Sequence, residues 1–204
     1  YYRALDMLGS AKELMIKNPL YRLKGSPDGL PLPPARLVYL VQGTYALGLF
    51  YAAGIRGAAS IRAVLARNGL SMDSFRAVLD FGCGCGRVVR HWKSLTGPTI
   101  HGSDYNPRLI EYCRRALPFA RFSVNQPSSR LPYENGAFDF IYAISVFTHL
   151  DETTEDFWIG ELRRVLEPGG HLLVTVIGTK RLHALTEAQR KQFERGERVA
   201  VNET

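Results

Sequence analysis

The sequence predicts an α/β fold: a doubly wound, mostly parallel sheet preceded by a helical extension. Three observations carry this prediction. From Phe75 onward, short apolar runs alternate with stretches of helical spacing, the βαβα order that a parallel sheet with helices on both faces accommodates. The first of those runs ends in the glycine-rich turn Gly82-Cys83-Gly84-Cys85-Gly86. Finally, 204 residues with 46% hydrophobic and 22% charged side chains suit one soluble core with a terminal extension.

Taken in order, residues 1–20 place Leu5, Leu8, Leu14 and Met15 at helical spacing. Gly25-Ser26-Pro27-Asp28-Gly29 and Leu30-Pro31-Leu32-Pro33-Pro34 then form a linker that no helix crosses, because proline lacks the amide and its ring clashes with the preceding turn. Leu37 to Ile55 carries no charge and is long enough to span a bilayer. Gln42, Thr44, three glycines and three tyrosines dilute it, so a buried or cleft-lining helix is the better reading and no membrane is expected. Ile61, Val64 and Leu65 continue helical spacing up to a stop at Gly69. This divides the chain into an N-terminal helical extension and lid, residues 1–73, and a second unit, residues 74–204.

Strands are expected at Ala77–Phe81, Thr99–Ser103, Arg121–Val124, Phe138–Ile144 and His171–Ile177. Between them, Arg87 to Leu95 has the spacing of a helix, and a second helix starts near Pro107 with Leu109, Ile110 and Cys113 inward. A third runs from Phe157 to Leu166 and is closed by Glu167-Pro168-Gly169-Gly170. After the fifth strand, Leu182 to Arg195 reads as one polar helix, and Val199-Ala200-Val201 is the only remaining strand-like run.

The net charge of +7 comes from scattered lysines and arginines, with mild clusters at Arg87 and Arg90, Arg114-Arg115 and Lys180-Arg181. Scatter favours a solvated surface over a nucleic-acid-binding face, although an acidic substrate or a nucleic acid stays open. Cys83, Cys85 and Cys113 are too few and too oddly placed for a disulfide framework, which points to a reducing, cytoplasmic compartment. Cys83-x-Cys85 with His91 lacks the second ligand pair of a zinc site, so no metal is expected.

The glycine-rich turn by itself allows two readings, a bare strand-to-helix turn or a ligand loop. Gly82, Gly84 and Gly86 let the backbone approach a ligand closely. Asp80, two residues before the first glycine, narrows the ligand. A carboxylate there repels a dinucleotide pyrophosphate by about 1–4 kcal/mol at a few Å, which makes an NAD enzyme a distant alternative. It suits a ligand with an ammonium group and no phosphate, such as S-adenosylmethionine. No Gly-Lys-Ser/Thr follows, so the loop is not that of an NTPase. Asp104 stands 24 residues after Asp80, directly after the second strand, where an acid accepts ribose hydroxyls; capping the helix near Pro107 is the plainer alternative.

These residues carry a resemblance. Val78-Leu79-Asp80-Phe81-Gly82-Cys83-Gly84-Cys85-Gly86 resembles the first motif of the class I S-adenosylmethionine-dependent methyltransferases, and Asp104-Tyr105-Asn106 their acidic motif after the second strand. Leu131-Pro132-Tyr133 with Phe138-Asp139-Phe140-Ile141, and Leu162 to Gly170, are similar to the segments around the fourth and before the fifth strand. Four ordered motifs span roughly Ser74 to Gly178. The resemblance implies a Rossmann-like fold in which Gly82, Gly84 and Gly86 wrap the methionine portion, with Asp80 near its ammonium. Asp104 would hold the ribose, Tyr105 would lie against the adenine, Asn125 or Gln126 would stand near the adenine amino group, and Ser145 would approach the methionine. Asn125 and Gln126 stand where many relatives have Asp. The family also implies two strands after the fifth. The expectation is therefore that the chain continues past Thr204 or associates through the open edge of the fifth strand.

Methyl transfer is an in-line displacement that needs a general base only when the acceptor must lose a proton. Ile144-Ser145-Val146-Phe147-Thr148-His149-Leu150 lacks the Asp/Asn-Pro-Pro-aromatic tetrapeptide of many nucleic-acid and glutamine N-methyltransferases, which argues against nucleic acid as acceptor. His149 is the candidate base, with a structural histidine at a helix start as the alternative; His101 and His91 are expected to be structural. Together with the leader containing Val41-Gln42-Gly43-Thr44, the segment resembles a bacterial group tied to glycan or secondary-metabolite pathways, in which Tyr39 to Tyr51 would form part of a lid. The expected function is methyl transfer to a small acceptor, such as a hydroxyl of a sugar-like or secondary metabolite. An RNA or protein methyltransferase and a noncatalytic cofactor-binding module are the alternatives.

Overall fold

The computed structural model describes residues 9–127, 129–176 and 185–196. Strands β1 (Ala77–Phe81), β2 (Thr99–Asp104), β3 (Ala120–Val124), β4 (Phe138–Ala143) and β5 (Leu166–Val174) make one parallel sheet in the order β3-β2-β1-β4-β5. The order reverses at β1, so β2 and β4 diverge from either side of it and leave a crevice beyond the strand ends. The helices are α1 (Asn18–Lys24), α2 (Ala35–Gln42), α3 (Leu47–Arg67), α4 (Pro107–Ala116), α5 (Glu152–Val165) and α6 (Glu187–Glu194).

Alternation along the buried strands sorts the core into two layers. Val78, Ile100, Phe122, Phe140 and Tyr142 pack with Phe50, Ala58, Ile61 and Leu65 of α3 and Ile110 and Cys113 of α4. Leu79, Phe81, Ile141 and Ala143 pack with Trp158, Leu162 and Val165 of α5. Leu30, Leu37 and Val38 belong to the first layer, so the helices of the extension and the sheet share one core.

The uncharged stretch is two helices. Gly43, at φ 69°, ends α2 in the left-handed region and bonds its amide to the Tyr39 carbonyl, the turn for which glycine is best suited. α3 is long and apolar enough to cross a membrane by length and composition. It buries Leu47, Phe50, Tyr51, Gly54, Ala58, Ile61 and Leu65 along one side, as a core helix does. α4 opens as expected, with Pro107 in the first turn and the Asn106 side chain accepting the Arg108 amide.

Two expectations are corrected. Arg87 to Leu95 is not a regular helix but a series of turns with a short 3₁₀ segment at Val89–Trp92. Val88 and Val89 are stiff at χ1, and the segment is drawn inward by Arg90 and Trp92. Arg90 is fully buried and bonds Asp28 from Nε and Nη2 at 2.6 and 3.0 Å, while Trp92 Nε1 donates to Tyr142 Oη at 2.8 Å. These contacts override local periodicity. The fifth strand also begins earlier than expected, at Leu166, with a register irregularity opposite Phe138 and Phe140. Among the described residues its one neighbour in the sheet is β4. Leu5 and Leu8, Ile177, Leu182 and the run Val199-Ala200-Val201 lie outside the described residues. The polar helix after β5 is described as α6, opened by a Thr186–Gln189 capping box.

Two helical glycines give a matched test of packing against propensity. A Cβ at Gly54 would stand 2.1 Å from the Arg87 carbonyl oxygen and 2.6 Å from His91 Nε2, whereas one at Gly160 in α5 would meet nothing within 4 Å. Gly54→Ala should destabilise by about 1–3 kcal/mol through overpacking. Gly160→Ala should stabilise by about 0.5–1 kcal/mol through helix propensity. Urea denaturation of both variants checks the opposite signs.

Candidate functional site

The crevice at the switch point is built from the ends of β1, β2 and β4 and the glycine turn. Register places Asp80 of β1 beside Gly102 of β2 and Tyr142 of β4. Asp80 is buried and accepts one side-chain hydrogen bond, from Tyr142 Oη at 3.0 Å. It makes no ion pair among the described residues. Burial pushes its carboxyl up to about 7; the Tyr142 hydrogen bond and the Arg87 charge pull it down, and the neighbouring Asp104 adds to the rise.

Gly82, Gly84 and Gly86 have φ of 77°, 57° and 76°, all left-handed, which a side chain resists. Their amides are committed to the protein. Gly82 and Cys83 donate to the Ser103 carbonyl at 2.8 and 2.9 Å, Gly84 to Asp104 Oδ2 at 2.9 Å, and Gly86 to the Cys83 carbonyl at 3.0 Å. With no regular helix following and these donors used, the turn offers bare backbone surface to a ligand. That surface is covered by aliphatic side chains: a Cβ at Gly82 would come within 2.3 Å of Val146, and one at Gly84 within 2.8 Å of Val41 from α2.

Asp104 is buried and accepts the amides of Gly84 and Asn106, each at 2.9 Å. Burial raises its pKa and the two amides oppose the rise. A carboxylate has about four acceptor positions, so two remain for further donors. Asp104 thus braces the turn before α4, whose cap is Asn106, and keeps acceptor positions open. Tyr105 is 70% exposed beside it. Asn125 follows β3 and bonds its amide to the Asp104 carbonyl at 3.1 Å. Its side chain is buried and Oδ1 has no partner, the kind of orphan that marks a missing donor. Gln126 is exposed. Of the two candidates after the third strand, Asn125 therefore has the better-placed acceptor.

Ser145 lies two residues past β4 at φ 58°, the one described non-glycine residue in the left-handed region, and its amide donates to Thr175 Oγ1 at 2.7 Å. Such backbone costs about 1–3 kcal/mol and collects at functional sites. His149 lies at the end of the short turn Phe147–His149, exposed, with no side-chain hydrogen bond among the described residues. Its imidazole is not the backbone-bonded histidine of the structural alternative. His101 is structural, edge-on to Tyr133 and Phe138 at 5.2–5.7 Å, and His91 packs against Tyr51.

A cavity of about 240 Å³ lies between α2 and the start of α4, lined by Arg36, Leu37, Tyr39, Leu40, Tyr45 and Arg108. Tyr39 and Tyr45 stack at 4.6 Å. The lid expected over Tyr39 to Tyr51 contains Val41, but sequence reasoning did not place Val41 or Val146 against the glycines and missed Tyr142 as a site residue. The signal for Tyr142 was a tyrosine at a buried strand position, where its hydroxyl must find a partner.

Residues 79–174 match the family model described as a methyltransferase domain. The chain is 34% identical over 98 residues to a sterol 24-C-methyltransferase of Schizosaccharomyces pombe, covering 46% of this chain and 25% of the relative. It is 31% identical over 113 residues to the methyltransferase GfsG of Streptomyces halstedii, covering 53% and 40%. The chain thus spans less than half the length of these curated relatives. A solved putative sarcosine dimethylglycine methyltransferase from Galdieria sulphuraria shares the fold at TM-score 0.50 and 21% identity, covering 59% of this chain and 45% of that one. With ordered motifs on a β3-β2-β1-β4-β5 sheet, residues 79–174 form a methyltransferase domain of the class I S-adenosylmethionine-dependent kind.

Proposed function

We propose that this protein transfers the methyl group of S-adenosylmethionine to a hydroxyl of a small or medium-sized acceptor, of the sugar-like or secondary-metabolite kind. The observation that carries the reading is Asp80, a carboxylate buried at the switch point with no salt bridge among the described residues, Arg87 acting on it only through its charge. Burying a charge is costly unless it is paired, and an ammonium supplies the pair. The residues present fit the cofactor. Asp80 would take the ammonium, the free acceptor positions of Asp104 the ribose hydroxyls, and the orphan Asn125 Oδ1 a donor such as the adenine amino group. Tyr105 would lie over the adenine, and the faces of Gly82 and Gly84 along the methionine once Val41 and Val146 withdraw. Ser145 would stand near the same moiety.

When bound, the cofactor supplies an electrophilic methyl group on a sulfonium. The chain's own residues would orient the acceptor, exclude water and remove its proton. Tyr39 and Tyr45 offer a stacking surface, and Arg36 and Arg108 hydrogen-bond donors, for an acceptor entering beneath the lid. The imidazole of His149 would take the proton that the acceptor hydroxyl gives up. Three free, buried cysteines accord with a reducing, cytoplasmic compartment.

Calorimetry should show binding of S-adenosylhomocysteine and none of NAD; NAD binding the tighter would overturn the reading. Asp104→Ala should weaken S-adenosylhomocysteine by about 1–3 kcal/mol, the range for losing a hydrogen bond to a charged group. It also strands the Gly84 amide, so Asp104→Asn, which keeps one acceptor oxygen, should cost less. An unchanged dissociation constant in folded Asp104→Ala would refute the ribose role.

A further inference from the structure

A buried hydrogen-bonded chain runs behind the crevice from Trp92 Nε1 to Tyr142 Oη at 2.8 Å and from that hydroxyl to Asp80 Oδ2 at 3.0 Å. Trp92 and Tyr142 have no exposed surface and Asp80 almost none, so water does not compete for either bond. The order of donors fixes the direction. An indole can only donate, so the Tyr142 oxygen accepts from Trp92 and its single proton is left for Asp80. Accepting the indole bond also makes the hydroxyl a better donor. Hydrophobic side chains of the first core layer surround these groups, the Arg62 guanidinium lies over the Trp92 ring at 4.6 Å, and β4 carries no other hydroxyl.

We propose that Tyr142 is a positioning residue for cofactor recognition, holding the Asp80 carboxylate ionised and aimed at the ammonium group of S-adenosylmethionine, with Trp92 fixing the hydroxyl. This rests on the function proposed above. Without Tyr142, Asp80 would be a desolvated carboxyl beside a second one, Asp104, with Arg87 as the nearby cation. The buried thiol of Cys83 also faces it. A protonated Asp80 cannot pair with an ammonium, so the hydroxyl decides whether the site is charged near neutral pH.

The sign follows. Burial holds Asp80 up to about 7, so its carboxylate fraction, and cofactor affinity with it, rises as pH increases through that value. Removing a donor to the carboxylate raises its pKa further and moves the rise to higher pH. S-adenosylhomocysteine, which keeps the ammonium, is the probe, titrated calorimetrically from about pH 6 to 8, the range that brackets the Asp80 transition. With a rise of about one pKa unit, Tyr142→Phe should bind about tenfold more weakly at the acid end and about fivefold more weakly at pH 7, and recover toward the wild-type value at the alkaline end. Asp80→Asn should bind weakly with no such dependence on pH, and adding Tyr142→Phe to it should change affinity little further. A wild-type protein that does not bind the probe at any pH would sink the proposed function itself. A wild-type protein that binds, with Tyr142→Phe matching it at every pH or losing affinity equally at all pH values, would overturn the role of Tyr142 alone. If Tyr142→Phe does not fold, the wild-type titration decides: affinity independent of pH across the window overturns the proposal, and a rise centred near 7 that Asp80→Asn abolishes supports it.

Discussion

Replacing Asp28 with asparagine is expected to destabilise the protein by about 3 kcal/mol, the low end of the range for breaking a buried ion pair. The reason is what the substitution leaves behind. Arg90 is fully buried; among the described residues, besides Asp28, it bonds Ser26 Oγ and the carbonyls of Leu30 and Pro31 and lies over the Tyr51 ring, while its Nη1 has no hydrogen-bond partner. Asp28→Asn strands that guanidinium away from water. The low end applies because the Asp28 side chain keeps 13% of its surface exposed, so water can relieve part of the loss. Arg90→Met, which leaves a carboxylate at the surface edge and fills much the same volume, should cost less.

The pH dependence gives a second readout. Burial alone would raise the Asp28 pKa, but the hydrogen bond from Arg90, with those of Ser26 and the Leu30 amide and the Arg90 charge, outweighs it and lowers the value from 3.8 to about 2. A depressed carboxyl pKa contributes stability above the unfolded value and loses it as pH falls through the folded one. The gap in stability between wild type and Asp28→Asn should therefore close between 3.8 and about 2. Denaturant titrations at several pH values measure it. A constant gap through that window would show that the cost is packing and not the ion pair.

That pair also marks the boundary of what could be read from sequence. Asp28 and Arg90 are separated by 62 positions, as are Asp80 and Tyr142. Features with a local cause were legible. The three glycines follow a strand, Asp104 follows the next, and Pro107 opens a helix. Features with a distant cause were not. The helix expected over Arg87 to Leu95 had the right spacing, but Arg90 and Trp92 reach partners on the linker and on β4. The same holds for Val41, which covers Gly84 from a helix some forty positions earlier, within the extension called a lid on resemblance alone. Asn125 and Gln126 were indistinguishable as neighbours in sequence. Burial separates them, because only Asn125 holds an unanswered acceptor.

His149→Ala is expected to lower turnover by about 10²–10⁴-fold, the usual effect of losing a general base, with little change in S-adenosylhomocysteine affinity. An alkyl hydroxyl becomes an effective nucleophile toward a sulfonium carbon only as its proton leaves, so an acceptor of this class needs a base at the mouth of the crevice. The segment after β4 would deliver one there by a short path. Ser145 takes the left-handed conformation two residues past the strand. Phe147 then anchors the turn, buried beside Phe81 with ring centroids 6.4 Å apart. The imidazole of His149 is left exposed at the end of that turn, without a side-chain hydrogen bond among the described residues. An anchored backbone with a free imidazole is what a base needs, and it is also why the substitution should leave the fold intact. Exposure allows a stringent check, since imidazole added to the buffer can enter the space and restore turnover to His149→Ala. Steady-state kinetics on an acceptor with a free hydroxyl, with and without imidazole, separate kcat from KM. A folded variant with unchanged kcat would remove His149 from the chemistry and favour acceptors that arrive already deprotonated, for which alignment and desolvation supply the acceleration.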